Sequence, residues 1–110
     1  MPGRRAKRFE IGSLIPVAVE SGARRFLGVA LDISSNGVLV RCDEVLRAGA
    51  IAALAIGSGR DAVRSLAVAR RAVEGVGLSF EFRNVSMTDH DLLNRLLLRL
   101  SRATITGSTR

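Results

Sequence analysis

The segment Gly-Val-Gly-Leu-Ser-Phe-Glu-Phe, residues 75–82, alternates small or polar residues with apolar ones over its whole length. Successive side chains of a strand point to opposite faces, so its apolar positions share one face: Val76, Leu78, Phe80 and Phe82. Such alternation is typical of an antiparallel sheet with one face in a core and the other in solvent. The segment therefore predicts a strand of an antiparallel β structure.

Five more apolar segments, each bounded by turn signals, precede this strand. They lie at residues 14–21, 24–33, 38–40, 50–56 and 63–73. Ser21-Gly22 separates the first two segments, and Ser35-Asn36-Gly37 separates the next two. Because Asn and Gly both tolerate positive φ, Asn-Gly between apolar segments predicts a tight hairpin at these residues.

The periodicity changes to that of a helix after residue 82. Ser86 and Asp89 have the spacing of a helix-capping pair. Five leucines then fall on one side of a helix: Leu92, Leu93, Leu96, Leu97 and Leu100. Six strands followed by one amphipathic helix predict a small antiparallel barrel or sandwich with the helix packed on it. We expect a flexible basic arm at 1–13, this domain at 14–102 and a tail at 103–110.

Length and charge limit the classes of function. A chain of 110 residues is one domain, and its net charge of +7 favours an anionic partner. The single cysteine excludes an internal disulfide framework. The longest uncharged stretch, 48–59, is too short to span a membrane, which takes about 20 residues. We therefore expect a cytoplasmic protein without membrane insertion.

Two short motifs carry the functional information. Arg4 and Arg8 form R-x-x-x-R in the basic arm, and Asp32, Ser34 and Gly37 form D-x-S-x-x-G at the predicted hairpin, with 23 residues between the motifs. Guanidinium groups can bind phosphate or the O6/N7 edge of guanine through two hydrogen bonds. A carboxylate complements the opposite guanine edge, where N1–H and N2–H are donors.

With the strand at 75–80 and the capped helix, these motifs resemble the PilZ domain, a six-stranded antiparallel β-barrel with a C-terminal α-helix that binds cyclic di-GMP. The resemblance implies that Arg4 and Arg8 grip phosphate and guanine. It implies that Asp32 and Ser34 read a guanine edge. Gly37 would then permit the turn and a close approach of the backbone.

Three more residues are candidates for contact with the same ligand: Arg5, Asn36 and Arg71. Arg5 lies within the first motif and Asn36 within the second. Arg70-Arg71 puts at least one arginine on the outer face of a predicted strand, where it could extend the basic surface or only be solvated. Asp32, Ser34 and Gly37 also have a purely structural reading, because all three residue types are common in turns.

The sequence offers no arrangement typical of an enzyme or a metal site. It has one histidine, His90, and one cysteine, Cys42, too few for a zinc site within one chain. Cys42 is expected to be a packing residue.

The leading hypothesis is a non-catalytic cyclic di-GMP receptor that acts through an unidentified protein partner or as a homodimer. A PilZ-like adaptor that works by protein contact without nucleotide is the alternative. A nucleic-acid-binding barrel is less favoured, since the chain has no Trp or Tyr on which bases could stack.

Overall fold

Six long strands close into one antiparallel barrel in the computed structural model, which describes residues 9–10 and 14–108, with side chains from 14 to 102. The strands are β2 Pro16–Ser21, β3 Arg24–Ile33, β4 Gly37–Arg41, β5 Ile51–Ile56, β6 Val63–Val73 and β7 Gly77–Arg83. Their order is β3-β2-β5-β6-β7-β4, and β4 pairs back onto β3. The predicted fold class is therefore confirmed.

The core lies inside this barrel and consists of the inward residues of every strand. The pattern is clearest on β2, where Val17 and Val19 are buried and the residues between and beside them are exposed. Leu93 and Leu96 of the C-terminal helix join the same core. Burying a side chain of this size contributes about 1.5–3 kcal/mol to the free energy of unfolding, so the helix is an integral part of the fold.

Helix α1 spans Met87–Ser108 and begins at the predicted cap. The Ser86 hydroxyl accepts a hydrogen bond from the Asp89 amide at 3.0 Å, as a helix N-cap should. The Asp89 carboxylate does not return to the Ser86 backbone; instead it accepts the amide of Arg64 on β6 at 2.9 Å. We expected a tail from residue 103, but helical backbone continues through Ser108.

A further two-residue strand, β1 Phe9–Glu10, lies beside the end of β3. Phe9 pairs with Ile33 and Glu10 pairs with Asp32 in antiparallel register. This pairing joins β1 to the strand that carries the second motif. We expected residues 1–13 to form a flexible arm; apart from Phe9 and Glu10, that segment lies outside the described residues.

Two β-bulges interrupt otherwise regular ladders. Between β3 and β4 the register shifts from Ala30 to Asp32, and between β6 and β7 it shifts from Ala69 to Arg71. Each bulge adds one residue to its strand, which places two neighbouring residues opposite one partner. The bulges therefore lie on the two outer sides of the β4–β7 pair.

Candidate functional site

One outer cleft of about 710 Å³, here named the site cleft, lies over strands β3, β4, β7 and β6. Its volume is within the range of about 300–1,000 Å³ that small-molecule sites occupy. Polar and charged side chains predominate in its lining: Asp32, Ser34, Asn36, Arg70, Arg71, Ser79 and Glu81, with Gly37, Leu39, Val73 and Phe80. The lining thus offers carboxylates, guanidiniums, hydroxyls and an amide on one surface.

The turn between β3 and β4 is held by Ser34. The Ser34 side chain is only 2% exposed, and its hydroxyl oxygen accepts the Asn36 amide at 3.1 Å. The Ser34 amide donates to the Gly37 carbonyl at 2.9 Å, and the Asn36 carbonyl accepts the Phe82 amide at 2.8 Å. These bonds satisfy the backbone of the turn and keep it against β7, so the motif is part of a rigid wall.

Gly37 is required for close packing of strands rather than for its φ angle. The structural alternative, that Gly37 is needed only for its φ angle, is wrong, because Gly37 is not among the residues with positive φ. A Cβ atom on Gly37 would lie 2.1 Å from the carbonyl oxygen of Phe80 on β7. The absence of a side chain therefore lets β4 and β7 approach at the floor of the site cleft.

Residues from four strands form one outward row across the site cleft. The pairing runs from Asp32 to Leu39, then to Ser79, then to Arg71. Three inter-strand spacings of about 4.8 Å separate the Asp32 and Arg71 backbones by roughly 14 Å. The row therefore has an acidic group at one end and a cationic group at the other.

The bulge on β6 explains why both arginines line the site cleft. In a regular strand, Arg70 and Arg71 would point to opposite faces. Because Arg70 is the extra residue of the bulge, both side chains are exposed and both line the site cleft. The sequence placed at least one of them on the outer face, and the structure places both there.

Arg70 is paired with Glu81, which is not among the site residues predicted from the sequence. The Arg70 Nε donates to Glu81 Oε1 at 2.7 Å, and Arg70 Nη2 donates to the same oxygen. Glu81 lies opposite Gly37 in the β4–β7 ladder, on the outward side of the strand. Strict alternation at 75–82 does put Glu81 on the face away from the core, so the signal for its position was present, but nothing in the sequence indicated its partner.

The structure brings five of the eight candidate residues together. The site cleft is lined by Asp32, Ser34, Asn36, Gly37 and Arg71. The remaining three, Arg4, Arg5 and Arg8, lie outside the described residues.

A second outer cleft of about 820 Å³, here named the alanine groove, lies over β3, β2, β5 and β6. Its floor consists of Ala18, Ala53 and Ala55, and exposed Leu27 and Leu66 lie along it. This groove is largely apolar, in contrast to the site cleft.

Asp89 forms the end of the alanine groove at the start of α1. Two hydrogen bonds to its carboxylate lower the pKa of Asp89 below its ordinary value of 3.8. The bond from the Arg64 backbone amide has the larger effect, and the bond from the Ser86 hydroxyl has the smaller one. Both bonds favour the charged carboxylate. Asp89 therefore serves to join the helix to β6.

The two residues that could suggest other chemistry have structural surroundings. Burial is the main cause that raises the pKa of the Cys42 thiol, which disfavours a reactive thiolate. Cys42 packs against the core, as expected. His90 is exposed and its Nδ1 lies 3.3 Å from the side-chain Nδ2 of Asn94.

Within residues 9–10 and 14–108 there is no cluster of three or more His, Cys, Asp or Glu suited to a metal ion. Nor does α1 have the apolar length needed to cross a bilayer.

Comparison with known proteins gives one family. The family model of the PilZ domain matches residues 2–99. No curated protein matches the chain.

Three solved structures share the fold at low identity. The PilZ domain of YcgR from Escherichia coli, determined with c-di-GMP, has a TM-score of 0.76 at 20% identity, covering 97% of this chain and 98% of that one. The PilZ domain of CeSA from a cellulose-synthesizing bacterium has 0.66 at 22%, covering 87% and 99%. The Bacillus subtilis inhibitor of motility MotI has 0.70 at 18%, covering 94% of this chain and 52% of that one.

Proposed function

The chain belongs to the PilZ domain family, and from this membership we propose that it is a non-catalytic cytoplasmic receptor for cyclic di-GMP. The ligand carries two singly charged phosphates and two guanines. In the proposal it occupies the site cleft, with the first motif closing over it from the N-terminal side. The structural neighbour YcgR, whose PilZ domain was determined with c-di-GMP, supports the choice of ligand.

The observation that carries the proposal is the register of β1 on β3. Phe9 pairs with Ile33 and Glu10 with Asp32, so the chain that follows the first motif enters the sheet beside the second motif. Arg8, the second arginine of the first motif, directly precedes Phe9 in sequence. This connection supports a site in which both motifs contact one ligand.

The groups of the second motif suit a guanine edge. We assign Asp32 as the acceptor of guanine N1–H and N2–H, which need a carboxylate or a pair of carbonyl groups. The Ser34 oxygen already accepts the Asn36 amide, and the hydroxyl can still donate one hydrogen bond toward the site cleft. Arg71, at the far end of the outward row, is assigned to phosphate or to the second guanine.

The output of the receptor is proposed to pass through a partner protein. Ligand that bridges the first motif and the barrel would change the surface around β1 and the β3–β4 turn. Motility is one candidate output, because a structural neighbour is named as an inhibitor of motility. Pilus function, exopolysaccharide synthesis and development are the others that the family resemblance implies.

Titration calorimetry with cyclic di-GMP tests the proposal, with cyclic di-AMP and GTP as controls. We expect binding to cyclic di-GMP at micromolar protein and clear discrimination against cyclic di-AMP, whose adenines lack the N1–H and N2–H donors. Arg8→Ala should weaken binding by about 1.5–3 kcal/mol, the usual value for hydrogen bonds to charged groups. Absence of heat with the wild-type chain would contradict the proposal.

Asp32→Asn tests the assignment of the guanine reader. The amide removes the charge and one acceptor, so we expect weaker cyclic di-GMP binding and less discrimination against cyclic di-AMP. Asp61→Asn is the matched control, because Asp61 is exposed in the turn between β5 and β6, away from the site cleft. Equal affinities of the two variants would refute this role of Asp32.

A further inference from the structure

The charged side chains that line the site cleft within the described part of the chain compensate one another. They are two carboxylates, on Asp32 and Glu81, and two guanidiniums, on Arg70 and Arg71, so their formal charges cancel. A ligand with two phosphates therefore meets a wall without net positive charge. One of the two arginines, moreover, already has an anionic partner in Glu81.

Glu81 occupies one hydrogen-bonding edge of the Arg70 guanidinium group. The Nε and Nη2 groups form one of the edges through which a guanidinium makes paired hydrogen bonds with an oxyanion. Both groups donate to the Glu81 carboxylate. An incoming phosphate must either displace Glu81 from this edge or bind the remaining donors with the Glu81 charge close by.

The backbone keeps this pair at the site. Arg70 lies in the site cleft because it is the extra residue of the β6 bulge, and Glu81 lies there because the alternation of β7 puts it on the outward face, opposite Gly37 in the β4–β7 ladder. The Arg70 and Glu81 side chains are 51% and 45% exposed, so both remain accessible to a ligand.

We propose that Glu81 is an internal competitor of the ligand phosphate for Arg70, and that it thereby lowers the affinity of the site cleft for the ligand. This inference rests on the proposed function for the identity of the ligand. Glu81 thus sets the affinity for the ligand. Of the two arginines that line the site cleft, Arg71 is the one that pairs with phosphate at the lower cost in free energy.

The test compares Glu81→Gln with Glu20→Gln. Glu20 is a matched control, because its Oε2 accepts Arg25 Nε at 3.1 Å in another exposed pair, which lines the alanine groove. Both variants raise the net charge by one. We expect E81Q to bind cyclic di-GMP on the order of fivefold more tightly than wild type, and E20Q to stay within about twofold, since exposed ion pairs contribute up to roughly 1 kcal/mol. The E81Q gain should shrink as salt rises from about 0.05 to 0.5 M, because exposed charges are then screened.

A second probe separates the inference from the identity of the ligand. Inorganic pyrophosphate is titrated into wild type and E81Q while the Arg70 Nε–H signal is followed by NMR. If cyclic di-GMP binds neither protein but E81Q still binds pyrophosphate more tightly at Arg70, the proposed function fails and the competition stands. If E81Q binds both probes no better than wild type, the competition is refuted.

Arginine variants keep the inference testable even if E81Q were unstable. Because Glu81 already compensates Arg70, Arg70→Gln should weaken cyclic di-GMP binding, or pyrophosphate binding, less than Arg71→Gln does. A larger loss for R70Q than for R71Q would overturn the inference.

Discussion

The site cleft and the alanine groove lie on the outer face of the same barrel and have similar volumes of about 710 and 820 Å³, but the alanine groove is largely apolar whereas polar and charged residues predominate in the site cleft. The ladders under the alanine groove, β2–β3, β2–β5 and β5–β6, are regular. The site cleft instead has a bulged ladder on each side of the β4–β7 pair.

This difference in register explains the difference in chemistry. Under the alanine groove, strict alternation exposes every second residue, and on β5 those include Ala53 and Ala55. At the site cleft, the bulge on β6 exposes two consecutive residues, Arg70 and Arg71, on one surface. A bulge thus lets a barrel concentrate charge that a regular strand would divide between the core and the solvent.

The largest effect is expected where the two strands of the site cleft approach most closely. Gly37→Ala should lower the free energy of unfolding by about 3 kcal/mol, because the new Cβ would meet the Phe80 carbonyl at 2.1 Å and backbone must move. Gly22→Ala is the matched control: it has φ 61° but nothing within 4 Å, so we expect a loss of only about 1 kcal/mol. Denaturant unfolding measures both, and equal losses would show that strand approach is not the constraint.

The second prediction contrasts one arginine from each cleft. Arg71→Gln should weaken cyclic di-GMP binding on the order of tenfold through the loss of a charge-assisted hydrogen bond. Arg25→Gln removes the same charge from the alanine groove and should leave affinity within about twofold. Calorimetry at fixed ionic strength compares them. A similar loss for both variants would mean that net charge, and not the site cleft, governs binding.

The smallest predicted effect concerns the end of the alanine groove. The pKa of Asp89 is lowered in the folded chain, so its contribution to stability is present above the ordinary carboxyl pKa and is lost as pH falls through the lower folded value. Asp89→Asn should cost about 1 kcal/mol at pH 7, the usual net value of one intramolecular hydrogen bond.

The difference between D89N and wild type should shrink below about pH 4, as the carboxyl becomes protonated. Thermal unfolding between about pH 7 and 2.5 follows it. Asp91→Asn is the control, since the exposed Asp91–Arg95 pair, at 3.2 Å, contributes only about 0.5 kcal/mol or less. A D89N difference that stays constant with pH would contradict the assigned hydrogen bonds.

The local sequence pattern was sufficient to predict the secondary-structure elements of this fold. The alternation at 75–82 predicted β7, the apolar segments predicted the other long strands, and the change of period with Ser86 predicted where α1 begins. These features depend on neighbouring residues along the chain, and burial of one face follows from them. The second motif was identified by its resemblance to the PilZ domain, which a short local pattern allows because Asp32, Ser34 and Gly37 lie within six residues.

Contacts between distant strands decided the rest. The Arg70–Glu81 pair, the place of β1 beside Asp32 and the true reason for Gly37 all involve residues far apart in sequence. A bulge cannot be read from a single strand, because it is a mismatch in register between two strands and exists only once they pair. The order of residues along the chain therefore specified the strands, the turn and the helix. Closure of the barrel decided which charged side chains share a surface.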